Sequence, residues 1–202
     1  MNLGNARVFF WSDPHFFHKN VIRLCNRPFA DLTEMHETLI KNYNSVVGPE
    51  DICVWVGDCF FVKNIISCTK IMDRLNGRKI LVRGNHDFSP RKMLSFGFEY
   101  VLEDLWLNIA GEDVQIKHYP FAPSKKQKAV GWFKQLFRMT SSRNDLRYLD
   151  RRPEQHGQYL IHGHTHNAQR FRGQQIHVGV DAWNFTPVPL SEIEAYIERT
   201  KK

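Results

Sequence analysis

The sequence has no long apolar run, few cysteines, no internal repeat and no low-complexity tract. Its apolar stretches, of which Ile52 to Val56 is typical, are about five residues long, against the ~20 a helix needs to cross a bilayer. Stable membrane insertion is therefore not expected. The four cysteines, Cys25, Cys53, Cys59 and Cys68, make no CxxC or CxxxC pair. They are too few for a secreted scaffold and read as reduced thiols in a reducing compartment. The stretch MNLGNARVFFWSDPH has none of the basic, long apolar and small-residue regions of a signal peptide. A soluble, cytoplasmic protein is expected. Disorder is excluded as well: 42% apolar and 13% aromatic residues in a 202-residue chain can fill one core, so 1–202 is read as one domain.

What the chain has in surplus is positive charge. Lys and Arg number 28 against 21 Asp and Glu, a formal net charge of +7. The surplus sits in one place. Between Phe121 and Arg152 nine basic residues face two aspartates, so that stretch alone carries 9 − 2 = +7, and the remaining 19 basic and 19 acidic residues cancel.

Short apolar runs alternate with amphipathic stretches. Arg7 to Trp11, Ile52 to Val56 and Ile80 to Val82 read as strands. Between them, Leu32, Met35, Leu39, Ile40, Tyr43 and Val46 recur at helical spacing, with Asp31 and Glu34 as a capping-box start and Gly48-Pro49 as a stop. Ile65, Cys68, Met72 and Leu75 suggest a second helix closed by Asn76-Gly77. This βαβαβ order predicts a parallel sheet with right-handed crossovers. Farther on, Leu105 to Ile109 and Val114 to Lys117 form an expected hairpin around Gly111-Glu112-Asp113. Tyr159 to Ile161 and Ile176 to Val180 read as strands, and Ser191 to Thr200 as a terminal helix. Two sheet-forming halves flanked by helices imply a layered α/β sandwich.

Ligand groups in open parallel sheets gather at the carboxyl ends of strands. Here the expected strands end in Asp13-Pro14-His15, Gly57-Asp58, Gly84-Asn85-His86-Asp87, His118 and Gly163-His164-Thr165-His166. Asp13, His15, Asp58, Asn85, His118, His164 and His166 offer seven oxygen or imidazole donors and no thiolate. That oversupplies one ion, whereas two ions sharing a carboxylate would each receive about four protein ligands. Two ions ~3.5–4 Å apart are a known device for hydrolysing phosphate esters. Mixed nitrogen and oxygen ligation favours Mn, Fe, Zn, Co or Ni over Ca or Mg. Any one of these residues alone would more often be a cap or a loop residue. Coincidence repeated at five strand ends is a poor account of all seven.

These five blocks, in this order, resemble the signature of the calcineurin-like metallophosphoesterases, and they span about three quarters of the chain. The resemblance implies a four-layer α/β/β/α sandwich with a dinuclear site along one edge, Mn being the first expectation for both metals. It implies that Asp13, His15 and His166 hold one metal, that Asp58 bridges, and that Asn85, His118 and His164 hold the other. His86 would face the substrate as proton donor or charge stabiliser, with Asp87 orienting its ring. A metal-bridging hydroxide would attack phosphorus directly, with no covalent intermediate. Cys59 stands in the second block where an apolar or aromatic residue is expected; it is either an oxidation-sensitive thiol or a buried small hydrophobe. Phe16-Phe17-His18 and Asn26-Arg27-Pro28-Phe29 resemble a subgroup of small bacterial and phage members, which places His18 and Arg27 near the phosphate pocket. His36, His156 and His177 read as surface or partly buried residues, and His162 as pointing away from the metals.

The stretch 121–157 is read as a basic insert between the fourth and fifth blocks. Trp132, Phe133, Leu136 and Phe137 with Lys134 and Arg138 suggest a basic amphipathic helix followed by an Arg-rich segment. It is either a helix packed on the sandwich or a clamp for a polyanion, with Lys125, Lys126, Lys128 and Arg143 as substrate-binding candidates and nucleic acid or a nucleotide as the favoured partner. Membrane-surface attachment fits less well because the apolar face is short. The expected activity is hydrolysis of a nucleotide or nucleic-acid phosphoester. The alternatives are a broad small-molecule phosphatase and a non-catalytic scaffold that kept the fold. Oligomeric state is not legible in the sequence.

Overall fold

The computed structural model of the protein describes residues 6–62, 64–123 and 148–201. Two five-stranded mixed sheets stack face to face. The first is built from β1 (Val8–Trp11), β2 (Ile52–Trp55), β3 (Arg78–Val82), β4 (Tyr100–Leu102) and β10 (Val188–Pro189), in the order β10-β1-β2-β3-β4. Strands β1 to β4 run parallel, pairing Trp11 with Trp55 and Trp55 with Leu81, and only β10 is antiparallel. The second contains β5 (Leu105–Ile109), β6 (Glu112–Ile116), β7 (Tyr159–His162), β8 (Phe171–Arg172) and β9 (Gln175–His177), in the order β5-β6-β7-β9-β8. Its centre, β6-β7-β9, is parallel.

Strand alternation sorts the side chains into two cores. Phe9, Trp11, Cys53, Trp55 and Leu81 point to one face of the first sheet, where they meet Met35, Leu39 and Tyr43 of α2 (Leu32–Val46) and Cys68, Ile71 and Met72 of α3 (Ile65–Met72). The short helices α1 (Lys19–Leu24) and α4 (Pro90–Leu94) add Val21 and Met93. Trp11 lies 4.7 Å from Trp55 and 4.9 Å from Tyr43, ring to ring. On the opposite face Phe10, Val54 and Val82 pack against Val114, Ile116, Tyr159, Ile161 and Ile176 of the second sheet. Helix α5 (Leu190–Thr200) adds Ile193, Tyr196 and Ile197 to that core. Its Tyr196 and Lys201 bond carbonyls of the β8–β9 and β5–β6 turns, so it closes the end of the sandwich where β6 and β9 begin.

The βαβαβ half and the terminal helix agree with the sequence reading. Asp31 caps α2 by accepting from the Glu34 N–H, and Glu34 reaches back to the Ala30 N–H. The hairpin differs. Its turn is Ala110-Gly111, both at positive φ (54° and 83°), with Ile109 opposite Glu112. A two-residue turn with both residues left-handed matches the strand twist, so β6 starts at Glu112, inside the expected turn. The run read as a strand from Ile176 to Val180 divides into β9 and a 3-10 turn, Val180–Ala182. The expected amphipathic helix and Lys125, Lys126, Lys128 and Arg143 lie outside the described residues. Among the described residues no helix is long and apolar enough to cross a membrane.

Trp55 is fully buried among Trp11, Tyr43, Phe60 and Phe98. Trp55→Ala is expected to cost about 3–5 kcal/mol, as large aromatic truncations do, read as a lower urea midpoint. A loss under ~1 kcal/mol would show that this cluster is not a principal support of the fold.

Candidate metal centre

The ends of β1 and β9 are stitched together, and this brings the two sheets' terminal turns to one place. The Ser12 N–H donates to the Val178 carbonyl (3.1 Å), and the Val180 N–H to the Ser12 carbonyl (3.0 Å). The Asp13 N–H donates to Gly57 and the His15 N–H to Asp58, which locks the first turn onto the second. Two glycines permit this approach. A Cβ on Gly163 would fall 2.0 Å from Ser12 Oγ and 2.3 Å from Asp13 Oδ2, and one on Gly84 would fall 2.2 Å from Asp58 Oδ1. Any side chain there would displace a carboxylate.

Two groups of donors result. Asp13, His15 and His166 place ligand-type atoms within 4.8 Å of one another, as do Asp58, His118 and His164. Asp58 lies between them: its Oδ2 is 3.5 Å from His15 Nε2 and 3.4 Å from His118 Nε2. His118 Nδ1 sits 2.7 Å from the Val56 carbonyl, which directs Nε2 toward His164 Nδ1 at 3.3 Å. Asp13 accepts from the His164 N–H at 3.0 Å. His15 Nε2 and Asn85 Oδ1 are buried without a hydrogen-bond partner among the described residues. Buried polar atoms rarely stay unpaired. Donors spaced 3.3–4.0 Å apart and facing one another are too far for good hydrogen bonds. That spacing suits atoms sharing a cation at ~2.0–2.2 Å. The residues present thus fit a pair of divalent cations.

The backbone supports this placement at a cost. Asp13, His15, Asp58, His164 and His166 all have φ between 49° and 68°. Such left-handed conformations cost a side-chain-bearing residue about 1–2 kcal/mol each and cluster at functional sites.

The protein's own charges strain against each other here. Burial would raise the Asp58 and Asp13 carboxyls, but the surrounding histidines hold both below the ordinary range. Burial lowers His15 to about 3 and His164 to about 4. His118 goes the other way, to about 9, because Asp58 outweighs its burial. His166 is pushed up to about 11, its hydrogen bond to Asp181 overcoming desolvation.

Asp181 was not among the sequence candidates. Its Oδ2 lies 2.8 Å from His166 Nδ1, which fixes the ring with Nε2 toward Asp13. The same carboxylate takes both arms of the Arg27 guanidinium, at 2.8 and 3.0 Å. Against burial, those partners hold Asp181 down at about 2. Arg27 is thereby placed differently from the expectation. Its side chain is fully buried and its remaining donors go to the carbonyls of Asp13 and Pro14. It fastens the first turn and turns no donor to a pocket. His18 does stand beside the donor row, with Nδ1 3.4 Å from His15 Nδ1 and its ring stacked on Phe61 at 4.0 Å.

Asp87 also departs from expectation. Its carboxylate accepts from the backbone N–H groups of Asp58, Cys59 and Gly84 at 2.8–2.9 Å. Adjacent side chains in a tight turn diverge, so Asp87 braces the second and third turns and leaves the His86 ring alone. His86 is exposed at the rim, 4.0 Å from Asp58 Oδ2. Cys59 is a buried thiol pushed well up by burial and by Asp87, which fits the small-hydrophobe reading. His177 is buried under the site, against the surface or partly buried position expected, and stacks on His162 at 5.3 Å.

Residues 7–180 match the calcineurin-like phosphoesterase superfamily domain. An uncharacterized protein of Methanocaldococcus jannaschii is 30% identical over 210 residues, covering 98% of this chain and 96% of the relative. The gene 66 protein of Mycobacterium phage L5 is 32% identical over 203 residues, covering 88% of each. Among solved structures, a protein of unknown function from Aquifex aeolicus superposes with a TM-score of 0.65 at 25% identity, over 96% of this chain and 100% of that one.

The pH dependence of the Asp181 network follows from its sign. A carboxyl lowered from 3.8 to about 2 stabilises the fold above its unfolded value and loses that contribution as pH falls through about 2. Asp181→Asn is expected to lower stability at pH 7 by about 2 kcal/mol and to flatten the dependence between about pH 4 and 2, measured by chemical denaturation of metal-free protein. Parallel acid limbs for variant and wild type would remove Asp181 from that role.

Proposed function

Since the chain belongs to the calcineurin-like phosphoesterase superfamily, we propose that it hydrolyses a nucleotide or nucleic-acid phosphoester at a dinuclear metal site. The observation that carries this reading is Asp58, one carboxylate oxygen of which lies within 3.5 Å of a histidine from each donor group. In this reading Asp13, His15 and His166 hold one cation, His118, His164 and Asn85 hold the other, and Asp58 serves both. When bound, such a pair supplies Lewis acidity toward a phosphoryl oxygen and a water of lowered pKa. Manganese is the first choice, with Fe, Zn, Ni and Co as alternatives for a nitrogen and oxygen donor set.

The chain's own residues divide the remaining work. The His86 N–H donates to Asp58 Oδ1 at 2.9 Å, which holds that imidazole over the shared carboxylate while its ring stays open to solvent. From there it can deliver a proton to a departing oxygen. Asp87 keeps the Asp58 and Asn85 turns together through its three backbone bonds. Asp181 holds His166, and His18 stands beside His15, with its Nδ1 3.4 Å from that of His15. Cys59, a buried thiol beside the row, is no nucleophile because burial keeps it protonated. Water then displaces the alcohol directly, with no phosphoenzyme. The basic stretch between Phe121 and Arg152 is read as the contact to a polyanionic substrate, because it carries the whole net charge of +7.

His86→Ala is expected to retain bound metal and to lose about 10²–10⁴-fold in turnover, with the greater loss for esters with poor leaving groups. Equal losses for good and poor leaving groups would remove the proton-donor role, and a phosphoryl adduct trapped by rapid quench would overturn direct displacement. Deletion of Lys125 to Arg147 is expected to reduce nucleic-acid cleavage more than cleavage of a small aryl ester. Equal effects, or none, would make the segment structural and favour a broad small-molecule phosphatase.

A further inference from the structure

Across Tyr119 from the second donor group, a cleft of about 640 Å³ opens over the outer face of the second sheet. Its size falls in the ~300–1,000 Å³ range of sites that take one small molecule. The Tyr119 ring lies 5.1 Å from that of His118 and 5.0 Å from that of His164, so the cleft adjoins the donor row. Arg151 donates to the Tyr119 hydroxyl at 3.5 Å and, like Arg83, lines the cleft.

The cleft's surface is chemically selective. Trp106 of β5 and Gln115 of β6 are directly opposed in the hairpin, so both side chains stand on the same outer face. Trp106 is half exposed, an uncommon state for the largest side chain and one that leaves a ring face available. Gln115 is 93% buried, at 7% exposure. Its Oε1 accepts from Gln158 at 3.4 Å. Gln158 itself is held by the Glu154 carbonyl and the His156 N–H, so the Gln115 amide has a fixed neighbour. A flat ring beside a side-chain amide fixed by its neighbour matches a heteroaromatic base. The ring supplies stacking that any base accepts, and the amide supplies a directional bond to a base-edge acceptor.

We propose that this cleft is a nucleoside-binding site, with the base on Trp106 and its polar edge at the Gln115 amide. A nucleoside seated there, joined to a phosphoryl group at the second donor group, passes over Tyr119. This assignment rests on the phosphoester reading for its orientation and narrows that reading to substrates carrying a nucleoside beside the scissile phosphate.

The test is binding to the full-length protein, with and without added Mn²⁺, read by calorimetry and by quenching of tryptophan fluorescence. The probes are adenosine 5′-monophosphate and ribose 5-phosphate, which share a phosphate and differ by the base. The monophosphate is expected to bind at least 10-fold more tightly, and Trp106→Ala to abolish most of that preference. Trp106→Phe, which keeps a stacking ring and guards against a folding defect, is expected to stay within about 3-fold of wild type. Equal affinity for the two probes, or a Trp106→Ala protein that keeps the preference, would overturn the site. The two readings fail separately: hydrolysis of an aryl diester without base preference would remove only the cleft, and base preference in a protein that hydrolyses no phosphoester would remove only the catalytic reading.

Discussion

Four buried carboxylates at one edge of a β-sandwich are the constraint that the rest of this structure answers. Asp13, Asp58, Asp87 and Asp181 all sit where strands end, and none has more than a tenth of its side chain or residue surface in water. Carboxylates taken out of water need compensation, and each receives a different kind. Asp87 is met by three backbone N–H groups, and Asp181 by a fork of Arg27 and the ring of His166. Asp13 and Asp58 receive single N–H bonds and a set of imidazoles at longer range. The first two are structural because their partners satisfy them. The second two are left with room for cations.

The framework around them is shaped to keep these turns fixed. Five of the eleven non-glycine residues at positive φ among the described residues are candidate ligands. Their left-handed backbone is tolerated because it is held from both sides. The stitching of Ser12 to Val178 and Val180 joins the sheets, and Gly84 and Gly163 let neighbouring turns touch. Two separate cores carry that load. The aromatic core under α2 and α3 backs the first sheet, and the aliphatic core between the sheets sets their spacing. Helix α5 closes the far end, so the end that carries the candidate donors is the one left uncovered by it.

Much of this was legible in the sequence because the chemistry repeats a local rule. Each candidate ligand block follows an apolar run of strand length, and glycine signals a tight turn, as at Gly57-Asp58 and Gly163-His164. Asp181 stands directly after the apolar run Ile176 to Val180, as the rule asks, but it has no second donor beside it, and its work on His166 and Arg27 is set by contacts 15 and 154 residues away. The roles of Arg27 and Asp87 were illegible for a related reason. Both lie close in sequence to site residues, yet their directions are set by contacts at long range, 154 residues away for Arg27 to Asp181 and 29 for Asp87 to Asp58. The shortest elements carry no pattern of their own. Strand β10 is two residues long and exists because β1 offers it an edge, and α1 has no capping side chain.

The charge distribution gives these parts a common direction. Outside the stretch from Phe121 to Arg152 the chain is formally neutral. In the metal-free donor row the carboxylates of Asp13 and Asp58 are offset by His118 and His166, both raised above the ordinary imidazole range, so the row alone has little pull on a phosphate. Two divalent cations would take the place of those protons and leave the row positive, adding four charges to two carboxylates, and in a low-dielectric edge that charge would be felt strongly. The basic stretch starts after Tyr119 and returns at Tyr148, and both of those rings contact His164. In the proposed function, attraction for a phosphoester would have two separable sources, one short-ranged and conditional on metal, the other permanent and weakened by salt. The proposed base-binding cleft would add what neither source can provide, discrimination among anions of equal charge.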